Sequence, residues 1–305
     1  MKKAIIDIGT NSIKFCLAES DKKDGSFTVF KDANNIAKLG EGLRETGSIA
    51  PEALTRNAEA VAEFVAEAKA AGAEEIKAVG TMALRTAKNA EAFINRVKEL
   101  TGTEVEVIPG EKEAQLSYIA VMSGIPGAAE ANLTSFDTGG GSTEFVFGDK
   151  GVLTRKFSLN LGGLRITEDY LSELPVSEEK LAEAKAEIRK ELKEGGVSAG
   201  ADFLVGMGGN VTSIASVKHK LESYDPTVIQ GSILTLEDVA AQIKDYASKT
   251  LEERRAIIGL QPKRADVILA GACILEAVME LCGLSQLTVS DRGLRHGLLY
   301  TLFKA

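Results

Sequence analysis

The sequence predicts an α/β protein built from two related domains, and three observations lead there. Short β-branched runs alternate with longer helical ones from residue 4 to about 108, the pattern of a mostly parallel sheet with covered faces. At 305 residues the chain is too long for one typical core and about right for two. A strand ending in Asp and running into a glycine turn with hydroxyls occurs at Ile6-Asp7-Ile8-Gly9-Thr10-Asn11-Ser12-Ile13. It recurs 130 residues later at Phe136-Asp137-Thr138-Gly139-Gly140-Gly141-Ser142-Thr143, an offset close to one domain length.

In the first half, strands are expected at Ala4 to Ile8, Ile13 to Glu19, Phe27 to Phe30, Ile76 to Val79 and Glu104 to Ile108. Pro51 suits the first position of a helix whose apolar period runs until Gly72, and a second helix spans about Asn89 to Leu100. A helix of about Glu111 to Ser123 leads to a break at Gly124-Ile125-Pro126-Gly127, which divides the chain into domains 1–123 and 124–305. The strand-turn-strand pattern then restarts with Thr134 to Asp137, Thr143 to Phe147 and Val152 to Phe157. A charged helix capped by Ser177 runs to Lys193, and a third strand-turn-helix unit follows: Asp202 to Val205, the turn Gly206 to Asn210, and a helix from Val211. A buried helix from about Arg264 to Leu281, a strand Leu287 to Val289 and a terminal helix Leu294 to Phe303 complete the chain.

Composition excludes several classes. The longest clean apolar run, Val267 to Leu275, lies between Asp266 and Glu276 and is far short of the roughly 20 residues of a bilayer span. Met1-Lys2-Lys3 passes straight into a strand, without the apolar stretch of a signal peptide, so a cytoplasmic protein is expected. Cys16, Cys273 and Cys282, an odd number on apolar segments, read as buried thiols in a reducing compartment. A net charge of −8 argues against general nucleic-acid binding, so an anionic ligand must be held by a local site.

The turns offer such a site. Glycines let successive backbone N–H groups point into one concavity, a cradle for phosphate, and a nearby Asp can position a divalent ion beside it. Gly9, Thr10, Asn11 and Ser12 form one candidate; Gly139, Gly140, Gly141 and Ser142 form a more specific one, because a hairpin needs only one or two glycines. Gly208, Gly209 and Asn210 open a helix, whose N-terminal amides also receive anions, but match neither the Walker A nor the dinucleotide spacing. A phosphorylated ligand is the chemistry these turns share.

Six segments together resemble, in order, the motifs of the exopolyphosphatase / guanosine pentaphosphate phosphatase (Ppx/GppA) family. They are Asp7 to Ser12, Thr81 to Asn89, Gly110-Glu111-Lys112-Glu113-Ala114, Asp137 to Glu144, Gly206 to Asn210 and Ser290 to Arg295. The resemblance spans nearly the whole chain. It implies two ribonuclease H-like domains of the sugar kinase, heat-shock chaperone and actin superfamily around an interdomain cleft, with the C-terminal helix, about 293–305, packed back on the first domain. It further implies Glu113 as the general base that activates water, Arg85 as the phosphate clamp, and Asp137 and Glu144, with Asp7 as a third candidate, as ligands of Mg2+. By itself, Glu113 reads first as a first-turn acid favoured by the helix dipole, and Arg85 reads equally as a surface salt bridge.

Lys14, Arg165, Arg264 and Arg295 are further cations for an anion track, while His219 and His296, distant in sequence, show no zinc pattern and read as bystanders. Pro109, Lys112, Asn210 and His296 depart from the family's usual residues, and Lys112 bears on the charge beside Glu113. The chain ends at Ala305, short of the C-terminal helical domains of long members, from which a preference for shorter chains is expected. The implied activity is Mg2+-dependent release of orthophosphate from inorganic polyphosphate, with guanosine pentaphosphate as the alternative substrate. An ATP-dependent small-molecule kinase and a non-catalytic alarmone sensor are the rival classes, and a homodimer is the family-level expectation.

Overall fold

The computed structural model describes residues 1–20 and 27–304, and divides the chain into two compact units. Unit one is Met1–Ala120 with Leu294–Ala305; unit two is Val121–Gly293. The division falls inside the helix Gly110–Gly124 rather than at the Gly124 to Gly127 segment. Ala305, the last residue expected in the C-terminal helix, lies outside the described residues.

Unit one carries strands β1 (Lys2–Ile8), β2 (Ile13–Glu19), β3 (Thr28–Asn35), β4 (Glu75–Gly80) and β5 (Val105–Val107) in the order β3-β2-β1-β4-β5. The sheet is mixed, not mostly parallel: β1, β2 and β3 pair antiparallel, while β4 and β5 join parallel. The cause is local. The short glycine turn after Ile8 brings the chain straight back, which only an antiparallel pair allows, whereas the parallel joins use helical crossovers. β3 also runs past Phe30 to Asn35, since its partly exposed edge needs no apolar pattern to pair.

Both faces of this sheet are covered, as the unbroken apolar run of β1 requires. Ile6, Ile8, Phe15 and Leu17 pack with residues of the helices Pro51–Ala70 and Ala90–Thr101. Ile5, Cys16 and Val79 face the other way, with Leu116 and with Leu294, Leu298 and Phe303 of the C-terminal helix Leu294–Lys304. That terminal helix therefore belongs to the N-terminal unit's core.

Unit two repeats the plan. Strands β6 (Asn132–Thr138), β7 (Thr143–Asp149), β8 (Val152–Leu159), β9 (Phe203–Met207), β10 (Ile233–Thr235) and β11 (Gln286–Val289) form a sheet of order β10-β11-β9-β6-β7-β8. Its first three strands again pair antiparallel, and β9 and β11 again join parallel. The duplication read from the two turns is thus a duplication of topology, as the ribonuclease H-like reading implies. The additional edge strand β10 and the helices Gly163–Tyr170 and Leu236–Ala247 are too short or too polar in pattern to stand out in the sequence. The buried helix starts at Ile268, after a single 3-10 turn at Pro262–Arg264, and the cap at Ser177 forms as expected, its side chain accepting from the Lys180 amide.

Candidate active site

The base candidate sits where its helix begins. Pro109 supplies a carbonyl that accepts from the amides of Lys112 and Glu113, starting the helix Gly110–Gly124. In that first turn Lys112 is exposed, whereas Glu113 is turned inward and its side chain is only 12% exposed. Arg85, on the short helix Met82–Thr86, donates from Nη1 to Glu113 Oε2 at 2.9 Å and to the Ile108 carbonyl at 2.9 Å. The two residues, assigned separate roles from sequence, are one ion pair. A guanidinium anchored to backbone holds the carboxylate in a fixed orientation, the requirement for a base that must aim water.

The first turn lies in the same unit. The Gly9 amide donates to the Ser12 carbonyl at 3.0 Å, and Thr10, Asn11 and Ser12 are all buried. The turn's own carbonyls are satisfied by backbone: Lys38 N–H reaches Asn11 O and Gly40 N–H reaches Thr10 O. Asn11 Oδ1 is buried with no hydrogen-bond partner among the described residues, an acceptor that a ligand or its water would satisfy. Asp7 is buried opposite Lys14, whose Nζ lies 4.0 Å from Asp7 Oδ2.

The second turn, in unit two, is closed by the same bond, Gly139 N–H to Ser142 O at 2.9 Å. Its Gly139 and Gly140 carbonyls accept from the amides of Gly163 and Leu164, and a Cβ at Gly162 would stand 2.3 Å from Gly140 O. Asn210 is buried and aims its amide at the Thr138 and Gly139 carbonyls, at 3.4 and 3.3 Å, so it props the turn's backbone. Opposite the turn's base, Asp137 and Glu144 face each other across β6 and β7. Glu144 accepts from Ser158 Oγ at 2.8 Å; Asp137 makes no salt bridge or side-chain hydrogen bond among the described residues.

The third turn is itself the start of a helix, Gly208–Lys218, three residues earlier than the sequence pattern suggested. Gly208 adopts φ +90°, and a Cβ there would stand 2.4 Å from Asp137 Oδ1, so only glycine lets this backbone approach the acid. Against Gly209 lies the Arg264 guanidinium, Nη1 only 2.2 Å from where a Cβ would be. Arg264 is buried and makes no salt bridge among the described residues; burial pushes its ionisation down to about 10, so it stays charged near neutral pH. The other three cations named from sequence are engaged elsewhere: Lys14 with Asp7, Arg165 with Glu191 and Arg295 with Asp32. Burial raises the Asp32 carboxyl, but the charges of Arg295 and His296 and their hydrogen bonds together outweigh it and hold it at about 2. Sequence alone gave no signal for singling out Arg264 among the four.

A model of the Ppx/GppA phosphatase family matches residues 20–305. The chain belongs to that family. Ppx/GppA members are phosphatases that hydrolyse phosphoanhydride bonds, and the hydrolase reading of the sequence stands. Exopolyphosphatase 2 of Mycobacterium tuberculosis is 30% identical, with 98% of each chain covered. A bifunctional 3-dehydroquinate synthase/phosphatase of Fusobacterium nucleatum is 32% identical, and there the alignment covers 95% of this chain but 45% of that protein. A guanosine-5'-triphosphate,3'-diphosphate pyrophosphatase of Photobacterium profundum is 27% identical, with 59% of its length covered. Among solved structures, the Ppx/GppA family member of Aquifex aeolicus superposes with a TM-score of 0.83 at 33% identity, covering 99% of this chain and 97% of that one. An exopolyphosphatase from Cytophaga hutchinsonii reaches 0.89 at 26% identity, covering 99% and 98%.

Proposed function

We propose that this Ppx/GppA phosphatase is an exopolyphosphatase, releasing orthophosphate from the end of inorganic polyphosphate with Mg2+ as cofactor. The observation that carries the reading is Arg264: a buried guanidinium that makes no salt bridge among the described residues, laid on the first turn of a helix beside a triple-glycine turn. A cation at the positive end of a helix is unfavourable unless an anion joins it, and amides plus guanidinium match phosphate oxygens.

In unit one, Glu113 accepts the proton of a water as that water's oxygen bonds to the terminal phosphorus. The anhydride P–O bond breaks in line, and the shortened polyphosphate leaves with the bond's electron pair. Arg85 orients Glu113 and clamps the phosphoryl oxygens; Gly9 to Ser12 and Gly139 to Ser142 present backbone amides. Gly208 and Gly209 do likewise, and Asn210 acts through the turn it props. Asp137 and Glu144 fit Mg2+: both are hard oxygen donors, and two carboxylates placed opposite each other call for a cation. Bound there, Mg2+ supplies charge neutralisation of phosphate oxygens. Asp137 and Glu144 would be the protein donors to that ion. Asp7, already facing Lys14, is the weaker ligand. Three buried cysteines suit a cytoplasmic setting.

Guanosine pentaphosphate is the second substrate reading, supported by the pyrophosphatase relatives. Polyphosphate is put first because the exopolyphosphatase relative, at 30% identity, is more similar to this chain than the pyrophosphatase, at 27%. The deciding assay is phosphate release from long polyphosphate, short polyphosphate and guanosine pentaphosphate in Mg2+, for wild type and Glu113→Gln. Polyphosphate cleavage with a loss on the order of 100-fold or more in the variant is expected. Cleavage of guanosine pentaphosphate alone moves the assignment to that substrate, and no cleavage of any of them overturns it.

A further inference from the structure

A second cluster of chemistry-bearing side chains lies in unit one, on the sheet face beneath the C-terminal helix. Cys16 on β2 and Asp32 on β3 are direct cross-strand partners, so their side chains leave the sheet on the same side. His296 descends onto them from the first turn of the helix Leu294–Lys304. The Cys16 sulfur, an Asp32 carboxylate oxygen and an imidazole nitrogen of His296 all lie within 4.8 Å of one another. It is the one such trio of His, Cys, Asp and Glu side chains among the described residues. Cys16 and His296 are buried in the apolar layer under the helix, and Asp32 reaches partly into solvent at the sheet edge.

We propose that Cys16, Asp32 and His296 form a zinc site that fastens the C-terminal helix to the sheet of the N-terminal unit. The donor set is the sulfur, nitrogen and oxygen mixture that zinc takes in tetrahedral sites, with room for water as the fourth ligand. Ligand bonds of about 2.0–2.1 Å at a tetrahedral angle set a nitrogen and an oxygen roughly 3.4 Å apart. His296 Nε2 and Asp32 Oδ2 are 3.4 Å apart, wider than the ~2.8 Å of a charge-assisted hydrogen bond. Arg295 donates to Asp32 Oδ2 from Nε at 3.2 Å and from Nη2 at 2.9 Å, fixing the carboxylate as outer partners of metal ligands do. On binding, the Cys16 S–H bond breaks, its proton passes to solvent and a sulfur–zinc bond forms, with no change of oxidation state; the Arg295 charge offsets the thiolate.

The competing account is a purely ionic Arg295–Asp32–His296 network beside an uninvolved thiol, and the sulfur separates the two. The purified full-length chain, stripped with chelator, is titrated with Co2+, whose thiolate charge-transfer absorption reports a sulfur ligand, and then with Zn2+ while Tm is followed. One equivalent of Co2+ with the thiolate band is expected for wild type, together with a Tm raised by Zn2+. Cys16→Ser should lose both, and Asp32→Asn should weaken binding at least about 10-fold. Should Cys16→Ser fail to fold, Asp32→Asn, altered at a partly exposed position, carries the comparison. Absence of the band in wild type, persistence of the same band in folded Cys16→Ser, or a Tm indifferent to Zn2+ would overturn the site.

Discussion

The two glycine turns are copies in backbone and opposites in charge. Each follows an Asp at the end of the first strand of its sheet, each is closed by the same amide-to-carbonyl bond, and each returns into an antiparallel partner. Across from the Asp, however, the first turn has Lys14 and the second has Glu144. Unit one therefore places a base opposite its acid, whereas unit two places two acids face to face. The supports differ too: backbone amides of Lys38 and Gly40 hold the first turn, and a side chain, Asn210, helps hold the second. The same backbone turn thus carries an acid–base pair in one unit and an acid pair in the other.

The sharpest way to break this contrast is to remove one acid from the second turn. Glu144→Gln keeps an acceptor for Ser158 but halves the charge, and phosphate release at limiting Mg2+ should fall on the order of 100-fold, recovering in part as Mg2+ is raised. Activity indifferent to Mg2+ in this variant would undo the ion assignment. A smaller but still large effect is expected from Gly208→Ala, whose Cβ would meet Asp137 at 2.4 Å in a backbone at φ +90°. It should cost about 1–3 kcal/mol in denaturant unfolding. Gly9→Ala, where the Cβ meets only Ser12 O at 2.9 Å without a positive φ, should cost less, and equal losses would remove the distinction.

Asn210→Ala tests the support. Losing the bonds to the Thr138 and Gly139 carbonyls should lower stability by about 1 kcal/mol and weaken substrate binding in the KM, while Mg2+ affinity stays near wild type. The smallest effect belongs to Lys14→Glu, which copies the acid pair into the first turn. Like charges directly opposite should destabilise unit one by roughly 0.5–1 kcal/mol, a loss that added Mg2+ partly restores in a thermal melt. A melt unchanged by the substitution would show that Lys14 does not neutralise Asp7.

What was legible in the sequence was local. Glycine turns, the alternation that makes strands, the cap at Ser177 and the proline start of the helix Pro51–Ala70 are short-range signals, and the structure carries each of them. The repeat at 130 residues was legible for the same reason, since two copies of one local pattern require no knowledge of packing. The parallel or antiparallel sense of the sheets was less so, because a strand does not state which neighbour it will take.

By itself, then, the sequence determined the two-unit α/β plan and the position of each glycine turn. Tertiary structure alone decided the partners. Arg85 and Glu113 meet at a separation of 28 residues, and among the described residues Arg264 comes to rest on Gly209 without the salt bridge to an acid that Lys14, Arg165 and Arg295 make. His296, a bystander by its isolation in the chain, reaches Cys16 and Asp32 because the last helix folds back on the first sheet. Backbone propensity acts over a few residues, whereas charge pairing and ligand geometry act through space, and only the packed sheets and helices bring those side chains within reach of one another.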